Sequence, residues 1–205
     1  MYQGISTSQA LVAAARELFS KHGYDGTSVR SITRLAGTNL GAITYHFGSK
    51  EALYNAVLAS ANEAVDQRLM AAAQAPGPPL ERIGGIVQAL FDVFVENPDY
   101  PQLIMHELAR SSPLPEELRQ ALERRIGALA ALIQQGQEEG SIRPGDPTFM
   151  ALSVGSQPLW ITLAARPLRE GARIDQTNPE TRARLVESVV EFVRAGLAVY
   201  PETRE

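Results

Sequence analysis

The chain has 205 residues, 44% of them apolar, and a net charge of −4, so it can bury a sizeable core and is not of disordered composition. It has no cysteine, which excludes disulfides and cysteine-ligated zinc. No apolar stretch reaches the ~18 residues of a membrane helix, and the N-terminus lacks the pattern of a signal peptide. We therefore expect a soluble, cytoplasmic protein without a membrane partner.

The charge is unevenly divided along the chain. Residues 1–55 hold five basic and three acidic side chains, whereas the rest of the chain is acidic. The sign of this modest asymmetry favours a nucleic-acid partner for the N-terminal part, because basic side chains attract phosphates.

The first predicted helix follows Ser6, Thr7 and Ser8, whose hydroxyls are suited to capping free backbone N–H groups. Its apolar residues recur at helical spacing, at Leu11, Val12, Ala15, Leu18 and Phe19. Gly23 is predicted to end this helix, and Tyr24 to pack beneath it.

Two short amphipathic segments follow, separated by Ala36-Gly37. Val29, Ile32 and Leu35 share one face of the first segment. The second, predicted at 39–45 with Thr38 as its cap, has few large apolar residues, and a helix so short is marginal alone. Its outer face is therefore predicted to be kept for a partner, as in a helix-turn-helix, whose second helix enters the DNA major groove.

Several motifs around these segments resemble the N-terminal signature of the TetR family of transcriptional repressors. They are Gly23-Tyr24-x-x-Thr27-Ser28-Val29, Ala36-Gly37-Thr38 and Tyr45-His46-Phe47-x-x-Lys50-Glu51-x-Leu53. The resemblance covers residues 8 to about 59. Thr33 and Asn39 depart from the commonest family pattern, and we place both in or beside the DNA-reading surface.

The resemblance implies an all-α fold with two domains. Residues 1–55 would form the helix-turn-helix DNA-binding domain, and residues 56–205 a larger helical domain for effector binding and dimerisation. A long fourth helix would join them. The family's function would be ligand-responsive regulation of transcription, with double-stranded operator DNA as partner.

The predicted DNA contacts combine capping residues, small residues that allow close approach, and polar side chains able to bind bases or phosphates. Ile43 is predicted to point inward and Phe47 to plug the core, whereas Lys50 matches a family position that contacts the DNA backbone. The predicted contacts are Thr27, Ser28, Arg30, Thr38, Asn39, Leu40, Gly41, Ala42, Thr44, Tyr45, His46 and Lys50.

Helical periodicity continues through the rest of the chain. Ser49 is predicted to cap a fourth helix that ends near Ala73, and Pro-rich residues 75–79 form a loop within the second domain. Further helices are predicted at 80–95 and 99–109, from Pro115 to about 139, from Pro147 past Pro158, and from Pro179. Residues 166–178 are polar, with Pro and Gly, and are predicted to be a loop.

The last two predicted helices are too apolar around their circumference for a monomer surface. A two-fold four-helix bundle is what the resemblance implies, and the predicted homodimer interface is Leu163, Val189, Val190, Phe192, Val193 and Leu197. An effector pocket for a small, largely apolar or aromatic molecule is predicted to include Phe91, Phe94, Met105, His106, Gln157 and Trp160.

Two other functions compete with the ligand-responsive repressor. An enzyme is disfavoured, because the sequence lacks GxSxG, HExxH, GxGxxG and P-loop motifs. We therefore expect no catalytic residue, no cofactor and no metal. The alternative is a DNA-binding regulator without a small-molecule ligand, which the size of the C-terminal part disfavours.

Overall fold

The structure is a computed structural model that describes residues 5–110 and 112–199. These residues form ten α-helices and one isolated β-bridge, between Ile142 and Ala198. No described helix is both long and apolar enough to cross a membrane. The helices are α1 (Thr7–His22), α2 (Val29–Ala36), α3 (Gly41–Phe47), α4 (Lys50–Ala73), α5 (Pro79–Glu96), α6 (Tyr100–Ala109), α7 (Glu116–Glu138), α8 (Pro147–Leu163), α9 (Ala165–Ala172) and α10 (Pro179–Leu197).

The helices divide into two compact units. The first contains the chain up to Ala64 together with Asn97–Ala121, and the second contains Val65–Glu96 and the chain from Leu122. The first unit thus includes α6, which the sequence analysis placed with the C-terminal part. The assignment of residues 1–55 to DNA binding and of 56–205 to effector binding and dimerisation stays a prediction about function.

The core of the first unit is built on the apolar face of α1. Ser6 caps this helix as predicted, in a reciprocal capping box with Gln9, and Gly23 ends it at a φ of 68°. Leu11, Ala15 and Phe19 are buried on its inner face. Tyr24 packs under the helix as predicted: its ring centroid lies 6.0 Å from that of Phe19 and 5.1 Å from that of Tyr54.

Polar contacts fasten α6 within the first unit. At its start, Arg16 of α1 donates to Asp99 and, at 3.1 Å, to Asn97. At the first residue of the helix, the Tyr100 hydroxyl donates to Oδ1 of buried Asn62 over 2.9 Å. Because hydrogen bonds are directional, these contacts hold α6 in one position, in addition to the packing of its buried residues.

The second unit is organised by apolar packing of α5 against α8 and α10. Helix α5 buries Ile83, Val87 and Phe91, and one face of α10 buries Val186, Val189, Val193 and Leu197. Gly84 permits close approach here, since a Cβ at this position would lie 2.6 Å from Nε of Arg194. Helix packing in this unit therefore depends on small residues facing large ones.

Three predictions about local structure were wrong. Residues 166–178 are not all loop, because α9 ends only at Ala172. Pro167 is the third residue of that helix, where its missing N–H has no intrahelical partner to lose. The third helix begins at Gly41 rather than at 39, and Thr38 does not cap it, because its N-cap is Leu40 without a side-chain hydrogen bond.

Candidate nucleic-acid interface

Helix α2 is held at both ends by its own sequence. At its start, the Ser28 hydroxyl accepts a hydrogen bond from the Ser31 amide over 3.0 Å, and Oγ of Ser31 accepts one from the Ser28 amide over 3.1 Å. At its end, Gly37 adopts the left-handed conformation, with a φ of 70°, as predicted for the turn. A residue with a Cβ would be strained there, so the glycine fixes the turn towards α3.

Helix α3 is two-faced. Ala42 and Ile43 are buried, and Ile43 faces inward as predicted. The opposite side is open to solvent, with Tyr45 85% exposed and Leu40 51% exposed. We define the reading surface as the exposed residues that precede or belong to α3: Asn39, Leu40, Gly41, Thr44, Tyr45 and His46.

The reading surface has the chemistry that base and phosphate contacts need. The Asn39 amide and the Thr44 hydroxyl can donate to and accept from base edges, and the exposed apolar Leu40 can contact a thymine methyl group. The Tyr45 and His46 rings lie edge to face, with their centroids 4.9 Å apart, and both residues are exposed. Exposed Ser28 and Arg30 of the α2 end add phosphate-binding groups on the neighbouring helix.

Other predicted DNA contacts lie elsewhere. Thr27 is 3% exposed, and its hydroxyl donates to the Gly23 carbonyl over 2.8 Å, so it stabilises the turn after α1, and its contact with DNA stays a prediction. Ala42 is 7% exposed and packs inside. Thr33 is likewise buried and bonds the Val29 carbonyl, so it is not part of the reading surface. Thr38 is half-buried, and Phe47, predicted as a core plug, is only half-buried.

Lys50 begins α4, which Ser49 caps as predicted by accepting from the Ala52 amide. The Lys50 ammonium donates to the Tyr24 carbonyl over 2.5 Å and lies 4.0 Å from the centroid of the Tyr24 ring. The pKa of Lys50 is lowered, mainly because the ammonium is partly buried. Nearby Asp25 raises the pKa and Arg110 lowers it, both by smaller amounts. The side chain thus has a structural partner within the protein, in addition to its predicted role at the DNA backbone.

A polar cluster around α6 was not predicted from the sequence. Glu107 of α6 is 2% exposed and accepts hydrogen bonds from the Tyr54 hydroxyl at 2.6 Å and from Arg110 at 2.9 Å. Arg110 also lies 3.4 Å from the Asp25 carboxylate and 4.8 Å from the Tyr24 ring centroid. The cluster ties α6 to the turn that leads into α2.

The pKa values in this cluster follow from its geometry. Burial, and then the hydrogen bond to Glu107, raise the pKa of the Tyr54 phenol well above its usual range. The hydrogen bond to Glu107 is also the main reason why the pKa of Arg110 is raised. Burial together with Glu107 therefore favours the protonated Tyr54 phenol, and Glu107 favours the protonated Arg110 guanidinium. The feature of the sequence that could have indicated this cluster is Glu107 itself, because it is a charged residue on the same helical face as apolar Leu103 and Ile104.

The six predicted effector-pocket residues do not share one environment. Phe91 and Phe94 are buried, whereas Trp160 is 66% and Met105 44% exposed, so these last two line no enclosed cavity here. His106 lies in the first unit, with Nε2 3.1 Å from the Ser20 carbonyl, and Gln157 is half-buried. A depression of about 300 Å³ is lined by none of the six but by Glu17, Leu18, Ser31, Arg34 and Leu35.

The predicted dimer residues also differ in their exposure to solvent. Val189, Val193 and Leu197 are buried within their own chain, where α10 packs against α5, so their part in an interface stays a prediction. Leu163 and Val190 are half-buried. Phe192 is 69% exposed, and α8 exposes Phe149, Leu152 and Trp160 at helical spacing. Exposure, more than apolarity along the sequence, identifies which side of each helix is available.

An exposed, polar second helix in a helix-turn-helix, attached to a larger helical unit, defines a class: the one-component DNA-binding regulators. Comparison with known proteins gives the family. Residues 11–57 match the model of bacterial regulatory proteins of the tetR family, and residues 79–193 match that of a tetracyclin repressor-like C-terminal domain. The chain belongs to the TetR family of transcriptional regulators, and its function is therefore regulation rather than catalysis.

Individual relatives agree with this assignment. The chain is 31% identical to the transcriptional regulator RutR of Escherichia coli K12, over 71% of this chain and 69% of RutR. It is 30% identical to the repressor NicS of Pseudomonas putida, over 69% of this chain and 68% of NicS.

Solved structures share the fold at lower identity. The ketosteroid regulator KstR2 of Mycobacterium tuberculosis matches with a TM-score of 0.76 and 23% identity, over 97% of this chain and 98% of KstR2. AibR, solved with isovaleryl coenzyme A and operator DNA, matches with a TM-score of 0.73 and 19% identity, over 94% of this chain and 98% of AibR.

Proposed function

We propose that this TetR-family regulator is a homodimeric repressor that binds a palindromic operator through the reading surface and is released by a small-molecule effector. The observation that carries the proposal is the two-faced α3. Its buried residues fix the helix on the first unit, while Thr44, Tyr45 and His46 are exposed to solvent.

The contacts divide into two kinds. Ser28, Arg30 and His46 would bind phosphates and position the helix, whereas Asn39 and Thr44 would contact base edges and determine the sequence preference. Lys50 would add a phosphate contact, because an ammonium has three donors and the Tyr24 carbonyl occupies one. Thr27 and Ala42 are left out of this set.

A substitution at Asn39 tests the proposed base contact. On an operator obtained by selection from random duplexes, Asn39→Ala should lose about 1–3 kcal/mol at one base pair of each half-site and leave the other positions unchanged. Arg30→Ala is the matched control, since loss of a phosphate contact should weaken all duplexes alike and lower the salt dependence by about one unit of slope. Equal weakening of every operator variant by Asn39→Ala would exclude Asn39 as a base contact.

The proposed dimer uses the exposed apolar residues of the second unit. Phe149, Leu152, Trp160 and Phe192 are large and exposed in the single chain, and apolar residues that cluster at a surface indicate an interface. A dimer also matches a palindromic operator, because two reading surfaces related by a two-fold axis bind the two halves of a palindrome.

Trp160 reports directly on this dimer, since it is the only tryptophan in the chain. On dilution through the dissociation range, the emission of Trp160 should shift to longer wavelength as the indole becomes exposed. Sedimentation velocity over the same concentrations identifies the species. A dimer whose dissociation leaves the Trp160 emission unchanged would place the interface elsewhere.

The effector part of the proposal is supported by relatives, of which AibR was solved with isovaleryl coenzyme A. Phe91 and Phe94 are the predicted pocket residues that are buried, so an apolar or aromatic effector would contact these first. The scattered positions of the other four favour the alternative, a regulator without a small-molecule ligand. Screening compounds for release of the operator complex distinguishes the two, with a rise in melting temperature as evidence of binding.

A further inference from the structure

Helix α10 has a second face that the fold of its own chain does not use. Its inner face buries Val186, Val189, Val193 and Leu197. On the opposite side, four exposed residues fall within about 60° of arc, because successive residues are 100° apart. We define the outer stripe as these residues: Arg184, Ser188, Glu191 and Ala195.

In the part of the chain that the structure describes, the two charged residues of the outer stripe form no ion pair, whereas the other two arginines of α10 do. Arg182 pairs with Asp92 at 3.1 Å, and Arg194 pairs with Glu81 at 2.5 Å. Within residues 5–110 and 112–199, neither Arg184 nor Glu191 forms an ion pair. The stripe thus has a cation at one end, an anion towards the other, and small Ser188 between them.

This order is self-complementary under a two-fold axis. When two identical helices pack antiparallel about a point near Ser188, residues before that point face residues after it on the other copy. Arg184 then faces the partner's Glu191, and the same contact recurs on the other side of the axis. Ser188 lies at the centre, where a small side chain lets two backbones approach closely, and Ala195 faces the half-exposed Thr181 of the partner.

We propose that the outer stripes of two copies pack antiparallel across the two-fold axis of the dimer, with the axis near Ser188 and Arg184 paired with the partner's Glu191. The inference rests on the proposed dimer and adds its register. Exposed Phe192 flanks the stripe and supplies apolar area. The two ion pairs favour this register over a shift of about two turns, which would bring the two Arg184 or the two Glu191 side chains opposite each other.

A charge-swap experiment tests the pairing. In Arg184→Glu, two Glu–Glu contacts replace the ion pairs of the homodimer, and in Glu191→Arg, two Arg–Arg contacts do. Each variant should dimerise on the order of 10-fold more weakly, as expected for two exposed pairs. An equimolar mixture should form a heterodimer of near wild-type affinity by native mass spectrometry, because both of its contacts are attractive. Mixing Arg169→Glu of α9 with Glu191→Arg is the control and should give no such recovery.

A second experiment tests the register without altering charge, and it is simple because the chain has no cysteine. Ser188→Cys lies beside the proposed axis, where the Cα atoms of two packed helices come within disulfide range, so mild oxidation should link the dimer. Ala195→Cys is on the same stripe, but its two copies would be separated by about 22 Å along the helices and should not link.

The outcomes distinguish the register from the dimer itself. A wild-type protein that is monomeric at all concentrations overturns both proposals. A stable dimer that is indifferent to both charge variants, or that links through Ala195→Cys rather than Ser188→Cys, overturns the register and leaves the dimer in place. Weakened homodimers with a recovered heterodimer, and a link at Ser188→Cys alone, are the expected results.

Discussion

The two compact units are stabilised by different kinds of contact. The first unit has buried polar groups at its centre, where Tyr54 and Arg110 converge on Glu107 and Tyr100 bonds Asn62. The second unit has an apolar interior on α5, α8 and α10, and ion pairs such as Arg68–Glu96 lie at its surface, with side chains about half exposed. Directional contacts define a fixed geometry, whereas apolar packing defines a volume. A unit that must fit DNA needs the fixed geometry that directional contacts give.

The largest expected effect comes from the apolar interior of the second unit. Phe91→Ala should lower the free energy of unfolding by about 3–5 kcal/mol if the ring is ordinary core, because a large cavity replaces it. Urea unfolding followed by far-UV circular dichroism gives the value. Val95→Ala on the same helix is the control, since Val95 is 54% exposed and should cost under about 0.5 kcal/mol. A loss below about 1 kcal/mol for Phe91→Ala would indicate that Phe91 lines an open pocket instead.

An intermediate effect is expected from the polar centre of the first unit. Tyr54→Phe keeps the ring but removes the 2.6 Å hydrogen bond to buried Glu107, so it should cost about 1–3 kcal/mol in urea unfolding. Tyr45→Phe, at a position that is 85% exposed, is the matched control and should change stability by less than about 0.5 kcal/mol. Equal effects of the two substitutions would contradict the stabilising role of the buried polar contact in the first unit.

Tyr54 should also make the stability of the folded protein depend on pH. Burial raises the pKa of Tyr54 in the folded protein, so the folded state holds this proton more tightly than the unfolded state does. The contribution is fully present below the unfolded pKa of about 10 and is lost as the pH rises above it. Wild-type stability should therefore fall above about pH 10, and more steeply than that of Tyr54→Phe.

The smallest effect compares two adjacent glycines of α5. Gly85→Ala has open space for its Cβ and should stabilise the protein by about 0.5–1 kcal/mol through the unfolded state and helix propensity. Gly84→Ala should gain less or lose stability, because its Cβ must displace the Arg194 guanidinium and disturb the pair with Glu81. Equal stabilisation by both in thermal unfolding would show that Arg194 moves aside freely.

The sequence predicted most of the helices and the reading surface, because periodicity and capping act locally. Ser6, Gly23, Gly37 and Ser49 were identified as helix ends from their own chemistry, and the structure confirms them. Helix α9 was missed because the composition of its residues suggests a loop. Its start is permitted by the position of Pro167, and it is reinforced by an ion pair between Arg166 and Glu170.

Long-range placement was the part that local patterns could not supply. Val189 and Phe192 look alike in the sequence and lie only about 60° apart around the helix, yet Val189 is buried and Phe192 is exposed. The edge of the buried face of α10 therefore lies between them, and the sequence pattern does not show where that edge is. Thr27 fits a DNA contact by motif, but its hydroxyl is taken up by the Gly23 carbonyl. One partner of Glu107, Tyr54, lies 53 residues away, and the other, Arg110, is the C-cap residue of α6, so no short motif could reveal the cluster.

The central claim is that α3 presents a sequence-specific DNA interface that acts in pairs. The most direct measurement is selection of binding duplexes from a random pool by the wild-type protein at moderate salt. The account predicts an inverted repeat of two half-sites, which is lost when Tyr45 and Asn39 are both replaced by alanine. Enrichment of a single, unrepeated site would contradict the paired arrangement, and an unchanged motif in the double variant would contradict the assignment of the interface to α3.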